Sequence, residues 1–320
     1  MQPLAGLLVV DLTRHLPGPF ASRELLRLGA RVVRLESPEG DPLRAIAPHW
    51  DAALNAGKES VVCDLKAEPE LGQALCARAD VVLEGFRPGV AARLDVGPDD
   101  VPDRVVYCSL TGFGVEGRHA LRAGHDLNYL GWAGALADTA PALPPVQIAD
   151  LGAGALAAVA EILAALLERE RTGRGARLVV SMTHGSHRFV SHRLAGDPRP
   201  HLLTGGLACY RVYGTADGRW LTVGALETHF FERLCELVDR PDLVPLQFAD
   251  DQQALIDEFA ATFATRTLAE WLARFDGEDV AVGPVATLAE AAEDLGADEL
   301  PQPAPRLGEH TGAWRCELGL

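Results

Sequence analysis

The first hundred residues alternate short apolar segments with segments of helical periodicity, and this alternation limits the possible folds more than any other feature. It predicts strands at 7–12, 31–36, 60–64, 80–84 and 104–109, and helices at 20–28 and 69–78. The strands are apolar on both faces, which is typical of a parallel sheet covered by helices on both sides. We therefore predict an α/β protein whose ligand binds beyond the carboxyl ends of the strands.

A strand, a helix and a second strand that ends in an acidic residue also begin many dinucleotide-binding proteins. Here the turn at 14–19 reads Arg-His-Leu-Pro-Gly-Pro, and its one glycine does not replace the three of the dinucleotide fingerprint. A looser match at 152–157 leads to a strand at 176–182 that lacks the acidic residue needed to hold a ribose. We therefore predict that the chain binds neither NAD nor FAD.

Composition and charge limit the cellular compartments and the binding partners that are possible for the chain. The 320 residues are 48% hydrophobic and carry a net charge of −16, which argues against binding to nucleic acid or to an anionic membrane. Six scattered cysteines without a Cys-x-x-Cys pair are typical of reduced thiols. The chain starts without a charged leader, and charged residues interrupt its apolar stretches before they reach spanning length. These features predict a soluble cytoplasmic protein.

An anionic ligand would need a local basic patch in so acidic a chain, and basic residues do lie near the predicted strand ends. Lys58, Lys66 and Arg87 lie at or near these ends, with Arg34 and Arg44 close in sequence. Lys58 and Lys66 are the only lysines in the chain. The alternative is that they are solvated surface residues, as most charged side chains are.

Residues 124–154 carry two side chains that can exchange protons, His125 and Asp150. His125 precedes a helical pattern, and Asp150 ends a short apolar run just before an Ala/Leu-rich helix predicted at 152–171. One interpretation is that Asp150 caps that helix, where a carboxylate accepts unpaired backbone N–H groups. The other is that both side chains face one substrate carbon. The spacing alone leaves both open.

Several short motifs, taken in their order along the chain, say more about the protein family than any one of them does alone. They read Asp-Leu-Thr-Arg at 11–14, Gly-Asp-Pro-Leu-Arg at 40–44, Asp-Leu-Lys at 64–66, Glu-Gly-Phe-Arg-Pro-Gly-Val at 84–90, Ser-Leu-Thr-Gly-Phe-Gly at 109–114 and Gly-His-Asp at 124–126. In this order they resemble the class III CoA-transferase family of the CaiB/BaiF type, which includes the α-methylacyl-CoA racemases. The likeness continues through Ala-Asp-Leu at 149–151 to residues 301–306, and thus covers nearly the whole chain.

Three features resemble the racemase subgroup. The motif Gly-His-Asp-x-Asn-Tyr is complete at 124–129, a Gly-Ala-x-Glu segment ends at Glu227, and the glycine-rich loop of oxalate-related transferases is reduced to Thr-Gly-Gly at 204–206. The resemblance implies a 2-methylacyl-CoA racemase in which His125 and Asp150 invert the α-carbon by two-base proton transfer through an enolate. It also implies that Glu227 hydrogen-bonds His125. Backbone N–H groups around Asp126 would hold the enolate oxygen.

The resemblance further implies the contacts of the coenzyme A portion, which we assign to Lys58, Lys66, Arg87 and Asp126. No metal and no separate cofactor is expected, because the substrate carries coenzyme A. A histidine-rich stretch lacks a convincing carboxylate or cysteine partner, so surface histidines are favoured over a metal site there. Its members are His184, His187, His192 and His201.

The family architecture implies a Rossmann-like parallel-sheet large domain at 1–185, a linker at 186–206, a smaller α/β domain at 207–287, and a C-terminal segment at 288–320. That segment would return to the large domain through a strap at 301–306. Two chains would interlock as a homodimer, with the active site between the large domain of one and the small domain of the other.

Two other functions remain open. A class III CoA-transferase would use Asp150 as a nucleophile and form an aspartyl anhydride with the acyl group. An inactive acyl-CoA-binding homologue would keep the basic residues without using the acid/base pair.

Overall fold

The computed structural model describes residues 2–196, 201–296 and 303–320. The chain divides into two compact units, one formed by Met1–Ser191 with Glu299–Leu320 and the other by His192–Asp298. The linker predicted at 186–206 and the strap predicted at 301–306 lie partly outside the described residues.

The element bounds are as follows. The strands are β1 (Leu8–Asp11), β2 (Arg31–Glu36), β3 (Glu59–Val62), β4 (Val81–Glu84), β5 (Val106–Thr111), β6 (Arg177–Ser181), β7 (Tyr210–Gly214), β8 (Trp220–Gly224) and β9 (Val282–Pro284). The α-helices are α1 (Pro17–Arg27), α2 (Leu43–Ile46), α3 (Pro48–Asn55), α4 (Glu70–Arg78), α5 (Val90–Arg93), α6 (Asp126–Ala133), α7 (Ala157–Thr172), α8 (Met182–Val190), α9 (Thr228–Leu237), α10 (Gln252–Phe263), α11 (Leu268–Phe275), α12 (Leu288–Leu295) and α13 (Thr311–Leu318). A π-helix (Ala149–Leu156) runs directly into α7.

The first unit contains a six-stranded sheet in the order β3-β2-β1-β4-β5-β6, and all of its strand pairs are parallel. The predicted parallel sheet is therefore confirmed. The order reverses between β1 and β4, because the chain builds outward from β1 in one direction and from β4 in the other. In open α/β sheets this reversal opens a crevice at the carboxyl ends of the two strands.

Successive residues of β1 enter two separate hydrophobic clusters. Val9 packs with Leu25 of α1 and Ile162 of α7 in one cluster, whereas Val10 packs with Leu75 of α4 in the other. Alternate side chains of a strand point to opposite faces, so both faces of the sheet are covered. This explains why the strands read as apolar throughout.

The end of the chain packs on the first unit through α13. Trp314 of this helix is buried in the same cluster as Val10, and its indole N–H donates to Glu59 Oε2 at 2.6 Å. Glu59 also pairs with Arg31, at 2.7 Å. The C-terminal helix therefore covers the end of the sheet at which β3 lies.

The second unit contains the antiparallel sheet β7-β8-β9. The hairpin of β7 and β8 turns at 215–219, where Gly218 has a φ of +72°, a conformation that glycine adopts readily. Helices α9, α10 and α11 pack on it through a core of large side chains. This core includes Phe231, Phe259, Phe263 and Trp271, each at most 2% exposed.

The sequence predicts no segment of membrane-spanning length, but within the described residues one continuous helix, Ala149–Thr172, is long and apolar enough to span a membrane. It passes this test because the π-helix and α7 join into 24 continuous residues, and 18 consecutive residues among them have a mean hydropathy of 1.8. Ala158 and Ile162 on this helix are fully buried in the core of the first unit. The apolar character of the helix thus follows in part from its place against the sheet.

Candidate active site

The first unit forms a cavity of about 660 Å³ beyond the carboxyl ends of β1, β4 and β5. Its walls come from the loops after these strands, from the start of α6, and from Asp150 and Met182. β1 and β4 are the two strands between which the sheet order reverses, and ligands of open parallel sheets bind at that point. The volume falls in the range of roughly 300–1,000 Å³ that is typical of small-molecule sites.

Both predicted acid/base residues border this cavity. His125 is the residue immediately before α6, with an extended backbone and an exposed side chain. Asp150 is half-buried near the start of the π-helix. An imidazole and a carboxyl group of one chain are thus available to the same bound molecule, the arrangement that proton removal and return require.

Asp150 lies inside the first turn of the π-helix Ala149–Leu156, so the interpretation that it caps a helix beginning near residue 152 is wrong. Burial and, secondarily, the Asp126 carboxylate raise the pKa of Asp150 to about 7. Near neutral pH the group is therefore divided between its protonated and its ionised form. Such a group can both accept and donate a proton.

Asp126 contacts the backbone of the segment that carries Asp150. Its Oδ1 accepts hydrogen bonds from the N–H groups of Ala149, at 2.7 Å, and Asp150, at 3.0 Å. First-turn N–H groups have no partner within their own helix, which makes an external carboxylate a good acceptor. Asp126 does not border the cavity. Its side chain thus makes a structural contact, and its predicted contact with the ligand stays a prediction.

The remaining residues of the motif at 124–129 hold His125 in place. The Asn128 side-chain oxygen accepts a hydrogen bond from the His125 backbone N–H at 3.1 Å, and the Tyr129 hydroxyl donates to the Gly124 carbonyl at 2.5 Å. A Cβ atom at Gly124 would lie 2.8 Å from the Tyr129 ring, and one at Gly112 would lie 2.5 Å from it. Only glycine at these two positions lets the ring pack this closely.

Lys58 was predicted to contact the ligand, and this prediction is wrong. Its ammonium group is sealed in the protein, where it donates to Pro19 O at 2.8 Å, Ser22 Oγ at 2.7 Å and Asn55 Oδ1 at 2.9 Å. Asp11 Oδ2 lies 3.7 Å away as its counter-ion. Burial lowers the pKa of Lys58 to about 8, against the opposing effect of Asp11. Lys58 therefore connects β1 and α1 on either side of the turn between them, and that turn borders the cavity.

Three arginines line the cavity, of which the sequence predicted only Arg87. Arg14 and Arg87 are exposed, and neither has an ion-pair or hydrogen-bond partner for its side chain among the residues that the structure describes. Arg122, the third, lies over the Trp132 ring at 5.1 Å. Lys66 is exposed but does not border the cavity. The cavity thus offers positive charge within a protein of net charge −16.

A regular spacing could have revealed Arg14. Arg14 follows the last residue of β1 by three positions, and Arg87 follows the last residue of β4 by the same three. Because β1 and β4 are parallel neighbours, residues at equal offsets after them reach the same edge of the sheet. The order of the strands was needed to recognise this pair.

Glu227 belongs to the second unit, where it is the residue before α9 and is exposed. Its side chain makes no capping hydrogen bond to that helix. Its predicted hydrogen bond to His125 stays a prediction.

The histidine-rich stretch has ordinary local contacts in the first unit. His184 Nδ1 lies 2.7 Å from Ser181 Oγ, and His187 Nδ1 lies 2.9 Å from the Ala133 carbonyl oxygen. Across residues 2–196, 201–296 and 303–320, no group of three or more His, Cys, Asp or Glu side chains is arranged to hold a metal ion.

The profile of CoA-transferase family III matches residues 4–300. The chain belongs to CoA-transferase family III.

Members of the family on both sides of the racemase and transferase division are similar to the chain. The human α-methylacyl-CoA racemase is 36% identical, across 95% of this chain and 86% of the human protein. The mouse succinyl-CoA:glutarate CoA-transferase is 30% identical, across 90% of this chain and 73% of the mouse protein. The crystal structure of a CaiB/BaiF family protein from Brucella suis superposes with a TM-score of 0.84 at 28% identity and covers 99% of both chains.

Proposed function

We propose that the protein is an acyl-CoA racemase that inverts the α-carbon of a 2-methylacyl-CoA. The observation that carries the proposal is that His125 and Asp150 border one cavity, with the pKa of Asp150 raised to about 7. The similarity to the human α-methylacyl-CoA racemase supports the choice of substrate class.

In the proposed reaction one base takes the proton from the carbon next to the thioester carbonyl. The electron pair of that C–H bond passes into the carbonyl to form an enolate, and the other group returns a proton to the opposite face. Backbone N–H groups at the start of α6 are the donors for the enolate oxygen, because helix N-termini carry unpaired N–H groups and partial positive charge. No metal or separate cofactor takes part in this scheme.

We assign the binding of the coenzyme A phosphates to the basic residues around the cavity. Arg14, Arg87 and Arg122 border it, and the exposed Lys66 follows β3 in the loop before α4. Arginine presents a planar fork of donors that matches phosphate oxygens, so Arg14 and Arg87 are suited to this role.

Deuterium incorporation tests the proposal. We expect a single enantiomer of a 2-methylacyl-CoA, incubated with the protein in deuterated water, to exchange its α-proton and to lose optical purity. Asp150→Ala and His125→Ala should each slow racemisation by about 10²–10⁴-fold, the usual contribution of one general acid or base. Chiral analysis and mass spectrometry of the recovered thioester measure both effects. Full retention of α-proton and configuration with wild-type protein would rule out the racemase.

The second candidate is a CoA-transferase, and the similarity to the succinyl-CoA:glutarate CoA-transferase supports it. In that reaction the Asp150 carboxylate attacks the thioester carbonyl, the CoA thiolate leaves, and an aspartyl anhydride forms. A pKa near 7 leaves part of Asp150 protonated and unable to attack, which is why we rank this function second. Hydroxylamine trapping at Asp150 in the presence of acyl-CoA and an acceptor acid would identify it. CoA binding without exchange or trapping would identify an inactive homologue.

We further propose that the active protein is an interlocked homodimer in which the partner subunit's Glu227 hydrogen-bonds His125. Co-expression of His125→Ala and Glu227→Ala chains tests this, since a mixed dimer would regain one complete site. Co-expression of His125→Ala with Asp150→Ala is the matched control, because these two residues border the cavity of a single chain and cannot complement each other. Activity in the control pair, or none in the test pair, would contradict the proposal.

A further inference from the structure

We propose that Asp126 is a positioning residue for Asp150: its carboxylate fixes the first turn of the helix that carries Asp150 and places a negative charge beside that residue. The inference rests on the proposed function, because it gives a part in proton transfer to a side chain outside the cavity. It goes beyond that function by naming a residue that acts through Asp150.

The hydrogen bonds supply the first step of the argument. Asp126 Oδ1 accepts from two consecutive backbone N–H groups, those of Ala149 and Asp150 itself. Asp150 is thus held through its own main chain, so a change at Asp126 moves the carboxyl group that borders the cavity. A displacement of about 1 Å in such a group can cost roughly 10²-fold in rate.

The place of Asp126 in the chain supplies the second step. It is the first residue of α6 and directly follows His125, the other acid/base group. One dipeptide therefore presents His125 to the cavity and secures the segment that carries Asp150. The two groups are separated by 25 positions in sequence but are tied together at the starts of two packed helices.

Electrostatics supply the third step. After burial, the Asp126 carboxylate is the cause that raises the pKa of Asp150, since two neighbouring negative charges disfavour each other. Among the described residues, the other ionisable groups that border the cavity are those of His15, His125, Tyr129, Arg14, Arg87 and Arg122.

The elements packed against the π-helix carry further ionisable groups, and most of these have contacts of their own. On α1, Arg27 pairs with Glu24 at 2.9 Å and Arg23 lies over the Phe20 ring. On α8, His184 and His187 hydrogen-bond Ser181 and Ala133, and Arg188 borders a separate cavity with Glu161 of α7. On β6, Arg177 donates to the Val105 carbonyl at 2.8 Å.

Two substitutions separate the two parts of the proposal. Asp126→Asn keeps an oxygen that can accept both N–H groups but removes the charge, whereas Asp126→Ala removes both. Glu170→Gln is the matched control: it removes one negative charge from an exposed position roughly 30 Å further along the same continuous helix.

The measurement is a pH titration of the Asp150 carboxyl carbon by ¹³C NMR in protein labelled at aspartate, assigned with Asp150→Asn. We expect the pKa of Asp150 to fall by about one unit in Asp126→Asn and to stay unchanged in Glu170→Gln. An unchanged pKa in Asp126→Asn, or an equal fall in Glu170→Gln, would overturn the electrostatic part.

The rate of α-proton exchange tests the anchoring part. At the pH optimum of each variant, we expect Asp126→Asn to keep a rate at least about tenfold above that of Asp126→Ala, because only Asn retains the acceptor. Equal rates in the two variants would overturn this part. Should Asp126→Ala fail to fold, anchoring is judged by whether Asp126→Asn retains exchange.

Failure of this inference can be distinguished from failure of the proposed function. The NMR titration needs no substrate, so it reports on Asp126 even if wild-type protein exchanges no α-proton. In that case the racemase activity is excluded, and the titration still decides whether the Asp126 charge raises the pKa of Asp150.

Discussion

The carboxyl group of Asp150 holds its proton to a pH at which an ordinary aspartate has long been ionised. Burial is the main cause of its pKa near 7, and the neighbouring Asp126 adds to it. A buried carboxyl group with a raised pKa makes the folded state less stable once the pH is high enough to ionise it. The feature that suits Asp150 to proton transfer therefore has a cost in stability.

We expect Asp150→Asn to stabilise the protein above neutral pH. The folded-state pKa lies above the unfolded value, so between about pH 4 and pH 7 the folded state binds more protons and stability falls as the pH rises. Asparagine has no such dependence, so the gain should reach about 1–3 kcal/mol at pH 8 after allowance for the partial exposure of the side chain. Urea unfolding at pH 5 and pH 8, at one protein concentration, measures it. An identical gain at both pH values would contradict the argument.

Sequence motifs identified two residues that border the cavity, whereas sequence reasoning failed for a residue whose surroundings are decided by burial. His125 and Asp150 were predicted from their motifs, and both border the cavity. Lys58 was misplaced because a lysine near a strand end reads as exposed, whereas Asp11, Ser22 and Asn55 surround it in three dimensions. These partners lie on β1, α1 and α3, which only the fold brings together.

Helix α6 and the residues before it act as a packing unit around Tyr129. The ring lies edge-on to Phe113, with centroids 5.3 Å apart, and fills the space beside Gly112 and Gly124. The Tyr129 hydroxyl then fixes the Gly124 carbonyl next to His125. The packing of the Tyr129 ring therefore fixes the backbone beside His125, at the start of the same helix.

We expect Gly124→Ala to lower both the melting temperature and the racemisation rate, because the new methyl group would meet the Tyr129 ring at 2.8 Å. Overpacking of this kind typically costs about 1–3 kcal/mol. Gly131→Ala, within α6 and with nothing inside 4 Å of its added carbon, is the control. It should stabilise the helix by about 0.5–1 kcal/mol and leave the rate unchanged. Calorimetry and the exchange assay measure the two effects, and equal behaviour of the two variants would contradict them.

At the scale of elements, the strand bounds were predictable to within about two residues, whereas the helix that carries Asp150 begins three residues before its predicted start. Apolar alternation sufficed for β1, β2 and β4, because buried parallel strands leave a strong pattern. The helix predicted to begin near residue 152 begins at Ala149. The acceptor for its first N–H groups is Asp126, more than 20 positions upstream, and no local capping signal reveals such a partner.

At the scale of the whole molecule, the alternation of elements indicated the parallel sheet and the edge where the cavity lies, but it could not relate Glu227 to His125. Glu227 is far from His125 in sequence and belongs to the other unit, so no periodicity relates the two. Their proposed pairing rests on resemblance to relatives. Because the chain has only two lysines, labelling of lysine side chains can test both the burial of Lys58 and the assignment of Lys66 to coenzyme A binding.

We expect an amine-reactive reagent to modify Lys66 and to spare Lys58 in the native protein. Lys66 is exposed, whereas Lys58 is buried with all three of its hydrogen-bond partners in place, and its lowered pKa cannot make it reactive while it is sealed. Peptide mass mapping reads each site separately, and urea-unfolded protein, in which both should react, is the control. Coenzyme A should slow modification of Lys66, and added salt should weaken this protection because the contact with phosphate is screened. If Lys58 in the native protein were labelled at the rate of Lys66, the burial of Lys58 would be contradicted. If Lys66 were fully labelled under saturating coenzyme A, it would not belong to the binding site, and the cavity arginines would be the cations that bind the phosphates.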